Sequence, residues 1–137
     1  MIIDKTNAQK INPTEIYLHD DVFIGVRFDR AACRAIAFCS GKKKGNYEVS
    51  FFNVLSIEMT SCDFWGPSPY IDCINIVKES EQIMIPKIQK NFERYSMPDD
   101  PTFDIENYIE IILSFVSGDY LRVVCKSIQI SNQGTVL

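Results

Sequence analysis

Along most of its length the chain alternates apolar and polar residues with period two, most clearly over residues 107–130. Ile109, Ile111, Leu113 and Phe115 alternate with Tyr108, Glu110, Ile112 and Ser114. Beyond Ser117, Gly118 and Asp119, Leu121, Val123 and Cys125 alternate with Arg122, Val124 and Lys126. Alternation on both sides of a glycine turn predicts an antiparallel hairpin with one buried face. If both apolar sets face the core, Phe115 pairs with Leu121, Leu113 with Val123 and Ile111 with Cys125. The loop is then Ser117, Gly118 and Asp119, with Gly118 or Asp119 at positive φ. The opposite face sets Glu110 against Lys126 and Ser114 against Arg122.

The same pattern recurs upstream. Val22, Ile24, Val26 and Phe28 predict a strand, and Ile36 and Phe38 its partner. A five-residue loop from Asp29 to Cys33 then sets Val26 against Ile36 and Ile24 against Phe38. Residues 41–46 read as a turn. Tyr47, Val49, Phe51, Leu55, Ile57 and Met59 share a face that Asn53 interrupts, so a bulge or a break into two strands is expected near residues 52–54. Residues 1–13 read as a loosely held lead-in, 15–18 as a short strand and 61–69 as a connection. Residues 70–78 fit a strand through Ile74 and Ile76, or a helix through Ile71, Ile74 and Val77. Pro86 makes residues 82–88 a short edge strand, and residues 89–105 read as a long loop with one helical turn.

Together these segments predict one all-β domain over residues 1–137. It is an antiparallel sheet folded as a sandwich or open barrel of about six to eight strands, with at most one short helix. The expected core is Val22, Ile24, Val26, Phe28, Ile36, Phe38, Val49, Phe51, Leu55, Ile57, Ile109, Ile111, Leu113, Phe115, Leu121, Val123 and Cys125.

Composition narrows the function classes. A chain of 137 residues holds a core without disulfide or metal staples. Its net charge of −4 argues against a general nucleic-acid binder. No signal-peptide pattern opens the sequence and no apolar run is long enough to span a bilayer, so no membrane association is expected. The five cysteines (Cys33, Cys39, Cys62, Cys73 and Cys125) lack regular spacing and read as reduced thiols of a cytoplasmic protein.

Candidate chemistry is sparse. His19 stands beside Asp20 and Asp21, but neighbours on an extended chain face opposite ways, so Asp20 is poorly placed to orient the imidazole. No two cysteines have the close spacing of a zinc ligand pair. Lys42, Lys43 and Lys44 read as a solvated hairpin tip. Phosphate-loop, dinucleotide-binding, serine-hydrolase, calcium-loop and zinc-hydrolase motifs are absent, so no cofactor is implied. The remaining candidates are Trp65 and Tyr70, in the segment Phe64-Trp65-Gly66-Pro67-Ser68-Pro69-Tyr70, and the acidic residues Asp99, Asp100 and Asp104. Trp65 is either an interface anchor or a plug in the end of the sandwich. The carboxylates would steer a basic partner.

Three local features resemble small all-β bacterial immunity proteins of polymorphic-toxin systems. These are Leu18-His19-Asp20-Asp21 before an alternating strand, Phe64-Trp65-Gly66 after a mid-chain strand, and Tyr108-Ile109-Glu110-Ile111 followed by Ser117-Gly118-Asp119. The resemblance implies a non-enzymatic cytoplasmic protein that binds and neutralises a cognate toxin. From their chemistry and loop positions, Trp65 and Tyr70 are the expected anchors of such a contact and Asp99, Asp100 and Asp104 its steering charges. The alternatives are a small-molecule-binding β-module and a small hydrolase or thiol enzyme working from His19, Cys62 and Asp63.

Overall fold

The computed structural model describes residues 2–8, 17–60, 70–101 and 103–132. They form two antiparallel sheets packed as a sandwich. The strands are β1 (Ile2–Asp4), β2 (Val22–Asp29), β3 (Arg34–Gly41), β4 (Gly45–Phe52), β5 (Ser56–Met59), β6 (Ile71–Ile76), β7 (Ile109–Phe115), β8 (Tyr120–Cys125) and β9 (Ser127–Asn132). Sheet A runs β1-β9-β4-β3-β2 and sheet B runs β5-β8-β7-β6. One helix, α1 (Met84–Tyr95), follows β6. The all-β sandwich expected from the alternation is therefore the fold, with more strands than expected. Ile2–Asp4 is not a loose lead-in: it pairs with β9 and buries Ile3 completely. Of the short strand expected over residues 15–18, the first two residues lie outside the described ones, and Tyr17 and Leu18 are not in a strand. No helix among the described residues is long and apolar enough to cross a membrane.

Directly paired residues of antiparallel strands share a face, so the ladders show what each strand turns inward. In sheet A, Ile3, Ile128, Phe51 and Ala35 form one inward row, and Ile130, Val49, Ala37 and Val26 the next. They meet Ile109, Ile111, Leu113, Phe115, Leu121, Val123 and Cys125 of sheet B in one core. Each large side chain removed from water here contributes about 1.5–3 kcal/mol.

The second hairpin corrects the expected register. Val26 pairs with Ala37, and Arg27 with Ile36, across a four-residue turn that Cys33 closes at φ 51°. The ladder also slips between Phe23 and Gly25, leaving Ile24 as the extra residue of a bulge, 62% exposed. A bulge reverses the facing of everything beyond it. Phe23 is inward before it and Val26 after it, and Phe28, at the end of the strand, is 42% exposed. In β3 the small residues Ala35, Ala37 and Cys39 are buried while Ile36 and Phe38 turn outward. Tyr47, Val49 and Phe51 on the next strand already fill the interior.

The chain breaks at Asn53 (φ 55°) and crosses from sheet A to sheet B, the division into two strands that the interrupted face predicts. Val54 is buried at this corner and Leu55 is 39% exposed. Residues 71–76 resolve as a strand paired with β7.

In the C-terminal hairpin, Leu113 pairs with Leu121, Ile111 with Val123 and Ile109 with Cys125. The expected pairs are displaced by two residues, which preserves the facing. Gly118, at φ 93°, is the last residue of the loop rather than its centre, so the loop is Val116, Ser117 and Gly118. This is where three-residue loops take their left-handed residue. Glu110 consequently lies opposite Val124, not Lys126, and Ser114 opposite Tyr120, not Arg122.

Residues 82–88 are not a strand, and the helical part of 89–105 is more than the single turn expected there. Met84–Tyr95 is helical, with Pro86 in the first turn, where its missing N–H has no intrahelical partner to lose. Ile85 and Ile88 pack with Val124, Tyr108 and Phe103 on the outer face of sheet B. Phe92 lies tilted against Phe103, the ring centroids 5.1 Å apart. No side chain of the helix's own leading residues caps its N-terminus. Fully buried Glu110 on β7 does so, accepting the N–H groups of Ile83 at 3.1 Å, Met84 at 2.9 Å and Ile85 at 2.9 Å while pairing with Arg122.

Candidate interaction face

α1 lies over part of the outside of sheet B, and the outside of sheet A carries rows of half-buried and exposed side chains. Its outward rows are Asp29, Arg34, Phe52, Ser127 and Asp4; then Arg27, Ile36, Ser50, Gln129 and Ile2; then Gly25, Phe38, Glu48 and Ser131. Ile36, Phe38 and Phe52 are half-buried, covered partly by arginine. The Arg27 guanidinium sits 5.9 Å from the Phe38 ring centroid and that of Arg34 5.0 Å from Phe52. Arg34 also reaches Ser50 Oγ at 3.4 Å. Stacking of this kind fixes a guanidinium while leaving its edge free for a planar anion.

Two of the nominated site residues, Tyr70 and Asp104, lie at opposite ends of the β7–β8 hairpin. Trp65 lies outside the described residues. Tyr70 is 49% exposed where β6 begins, beside the β7–β8 turn: its carbonyl accepts the Val116 N–H at 3.0 Å. Asp104 lies by the other end of that hairpin, paired with Lys126 at 3.2 Å and accepting from Asn107 at 3.0 Å, which holds its carboxyl below the usual carboxylate range. The length of β7, roughly 20 Å at about 3.3 Å per residue, separates the two. Asp100 accepts the Met97 N–H at 2.6 Å within its own turn, and Asp99 is exposed nearby. Of these carboxylates, Asp104 is already matched by a cation.

His19 is oriented after all. Asp20 takes a left-handed conformation (φ 66°) that brings its carboxylate 3.1 Å from Nδ1, with Asp72 3.8 Å from Nε2. The argument from an extended chain fails because the chain turns here. Cys62 and Asp63, the other members of the thiol-enzyme alternative, lie outside the described residues. Lys44 is no solvated tip: it reaches under the turn to Asp21 at 2.9 Å and to the Tyr17 carbonyl. Buried Asp21 also accepts the Tyr47 hydroxyl at 2.6 Å.

Cys39 lies beside this cluster and Cys125 in the core. Burial pushes both thiols up to about 12, opposed at Cys39 by a hydrogen bond with Tyr47. Tyr47 is pushed up in turn, by burial and then by the bond it makes to Asp21. Groups that hold their protons more tightly when folded contribute stability that is complete below the unfolded pKa. For a thiol that value is 9.0, and the contribution is lost as pH rises toward about 12. Urea midpoints measured at rising pH should therefore fall above this value, and Cys39→Ala with Cys125→Ala should flatten the decline. In the same native protein exposed Cys33 and Cys73 should alkylate first. Equal reactivity of the buried pair at neutral pH would contradict the burial.

A concavity of about 760 Å³ lies between the turn after β1 and the segment after β6. Lys5, Ala8, Ile76, Lys78 and Glu79 are among its lining residues. No cluster of metal-ligating side chains occurs among the described residues.

The arginine face was hidden in the sequence because Ile36 and Phe38, the larger residues of β3, read as core. The available signal was charge: Arg27, Arg30 and Arg34 fall within one short stretch of an acidic chain.

No protein-family model and no curated protein matches the chain. The fold is similar to a crystal structure of an uncharacterized protein from Neisseria gonorrhoeae, with TM-score 0.51 and 14% sequence identity over 84% of this chain and 93% of that one. At that identity the likeness concerns the fold alone.

Proposed function

We propose that this chain is a non-enzymatic protein-binding domain and, within that class, an immunity protein that neutralises a cognate toxin in the cytoplasm by occupying it. The observation that carries the reading is the outside of sheet A, where Ile36, Phe38 and Phe52 lie between Arg27 and Arg34 on a face that none of the described elements covers. Aromatic and arginine side chains are enriched among the residues that dominate protein–protein binding energy. The resemblance of Leu18–Asp21, Phe64–Gly66 and Tyr108–Ile111 to immunity proteins supports the finer reading. The interface moves accordingly from the loops bearing Tyr70 and Asp99 to a rigid sheet.

Co-expression with the product of a neighbouring toxin gene tests this. The chain should restore growth and co-purify with the toxin as a complex. Ile36→Glu should weaken that complex by about 2 kcal/mol or more while the purified variant keeps its cooperative thermal transition. Full rescue by Ile36→Glu would remove the face from the interface, and failure of the wild-type chain to form any complex would remove the immunity reading. The small-molecule alternative would place its ligand in the concavity beside Lys5 and Lys78. A ligand-dependent rise in Tm, lost on Ile76→Glu, would favour it.

A further inference from the structure

Charge on this chain is segregated. Residues 22–46 hold six basic side chains and one acidic one, whereas the remainder holds eight basic and seventeen acidic. Three of the five arginines, Arg27, Arg30 and Arg34, meet at the β2–β3 turn, where with Phe28, Asp29 and Ile36 they line an open cleft of about 750 Å³. Three cations elsewhere are matched, Arg122 to Glu110, Lys126 to Asp104 and Lys44 to Asp21. None of the three cleft guanidinium groups has an ion-pair partner among the described residues. The one acid in the cleft, Asp29, is turned to its own loop, accepting the Ala32 N–H at 3.2 Å. Arg27 and Arg34 are diagonal neighbours across the ladder, since Arg27 faces Ile36 and Arg34 faces Asp29. Each is steadied on a ring, Phe38 or Phe52.

We infer that this cleft recognises carboxylates presented by an acidic segment of a protein partner. The inference rests on the protein-binding reading for the kind of molecule that carries those carboxylates and adds the chemistry of its contact surface. Fixed, unpaired guanidinium groups donate bidentately to a carboxylate with little ordering left to do. Phe28 and Ile36 supply apolar contact between the charges. Nucleic acid fits less well, because the acidic body repels a continuous phosphate chain. The two rings are also already covered by arginine and are not free to stack bases.

The test uses the intact chain and three labelled probes of equal length: hexaglutamate, hexalysine and a thymidine hexanucleotide. Fluorescence anisotropy and amide chemical shifts are followed at low salt. Hexaglutamate should bind, with shifts centred on Arg27, Arg30, Arg34 and Ile36. Arg27→Gln and Arg34→Gln should each weaken it by about tenfold or more, whereas Lys42→Gln, exposed at the far end of β3, should change it less than about twofold. Unchanged binding in the doubly substituted arginine variant overturns the site. Tighter binding of the hexanucleotide than of hexaglutamate overturns the protein class. A concentration-dependent dimer abolished by Arg34→Gln would make the occupant a second copy and overturn it too. If hexaglutamate binds as expected but no toxin complex forms, the immunity reading fails and the anion site stands. If a toxin complex forms and survives both arginine substitutions, the anion site fails alone.

Discussion

Replacing Glu110 by alanine is expected to lower the unfolding free energy by about 3–5 kcal/mol, the usual consequence of removing one partner from a buried ion pair. The loss has two sources. Three backbone N–H groups at the start of α1 lose their acceptor, and Arg122, only slightly exposed, is left without its counter-charge. Urea denaturation of Glu110→Ala measures the total. Removing Arg122 as well should cost less than the sum of the single changes, because the second substitution relieves the unpaired charge left by the first. Hydrogen exchange should show the amides of α1 opening ahead of the strands. A loss below about 1 kcal/mol would mean that water replaces the carboxylate and that this contact does not fix the helix.

Asp21→Ala should cost about 2–4 kcal/mol, since it leaves the buried Tyr47 hydroxyl without an acceptor and Lys44 without its carboxylate. A companion substitution makes the prediction sharper. A Cβ at Gly41 would stand 2.8 Å from Asp21 Oδ1. The carboxylate cannot retreat while Tyr47 and Lys44 hold it, so Gly41→Ala should cost about 1–3 kcal/mol in the wild-type chain. On the Asp21→Ala background the same change should cost almost nothing. Equal costs on both backgrounds would show that Gly41 is required for some other reason.

The elements that alternation revealed are those whose partners are near in sequence. The β7–β8 hairpin kept its facing because its loop has an odd number of residues, and only the place of Gly118 in that loop was misjudged. The β2–β3 hairpin failed at two places. Its turn has four residues rather than five, which puts Ile36 and Phe38 on the outer face. Ile24 belongs to a bulge, which carries no distinctive composition, so Phe23 takes the inward place before it while Val26 keeps the expected side. Helix α1 was misread because its usual opening signal is missing: Ile83 stands where a serine or aspartate normally would, and the cap arrives from Glu110 on a later strand. The same distance hid the interaction face. Whether Ile36 and Phe38 point in or out depends on Tyr47, Val49 and Phe51 having filled the interior first, and a strand read alone does not contain that information. Among the nominated contact residues, Tyr70 and Asp104 were each legible as polar or aromatic loop positions. Their separation by the length of β7 is a property of the sheet.

The position of β9 has a consequence for synthesis. This strand comes after every other described element, yet it lies inside sheet A, between β1 and β4. On the ribosome the β2–β3–β4 meander can assemble early from neighbouring residues. The free edge of β4, with Val49 and Phe51 on one face, must then wait for residues 127–132 to emerge, several seconds at roughly 5–20 residues per second. Until β9 slots in, the nascent chain offers an unpaired strand beside an open core, the template to which another partly made copy adds most readily. Translation speed and chaperone supply should therefore govern the yield of soluble protein more strongly than the stability of the finished sandwich does.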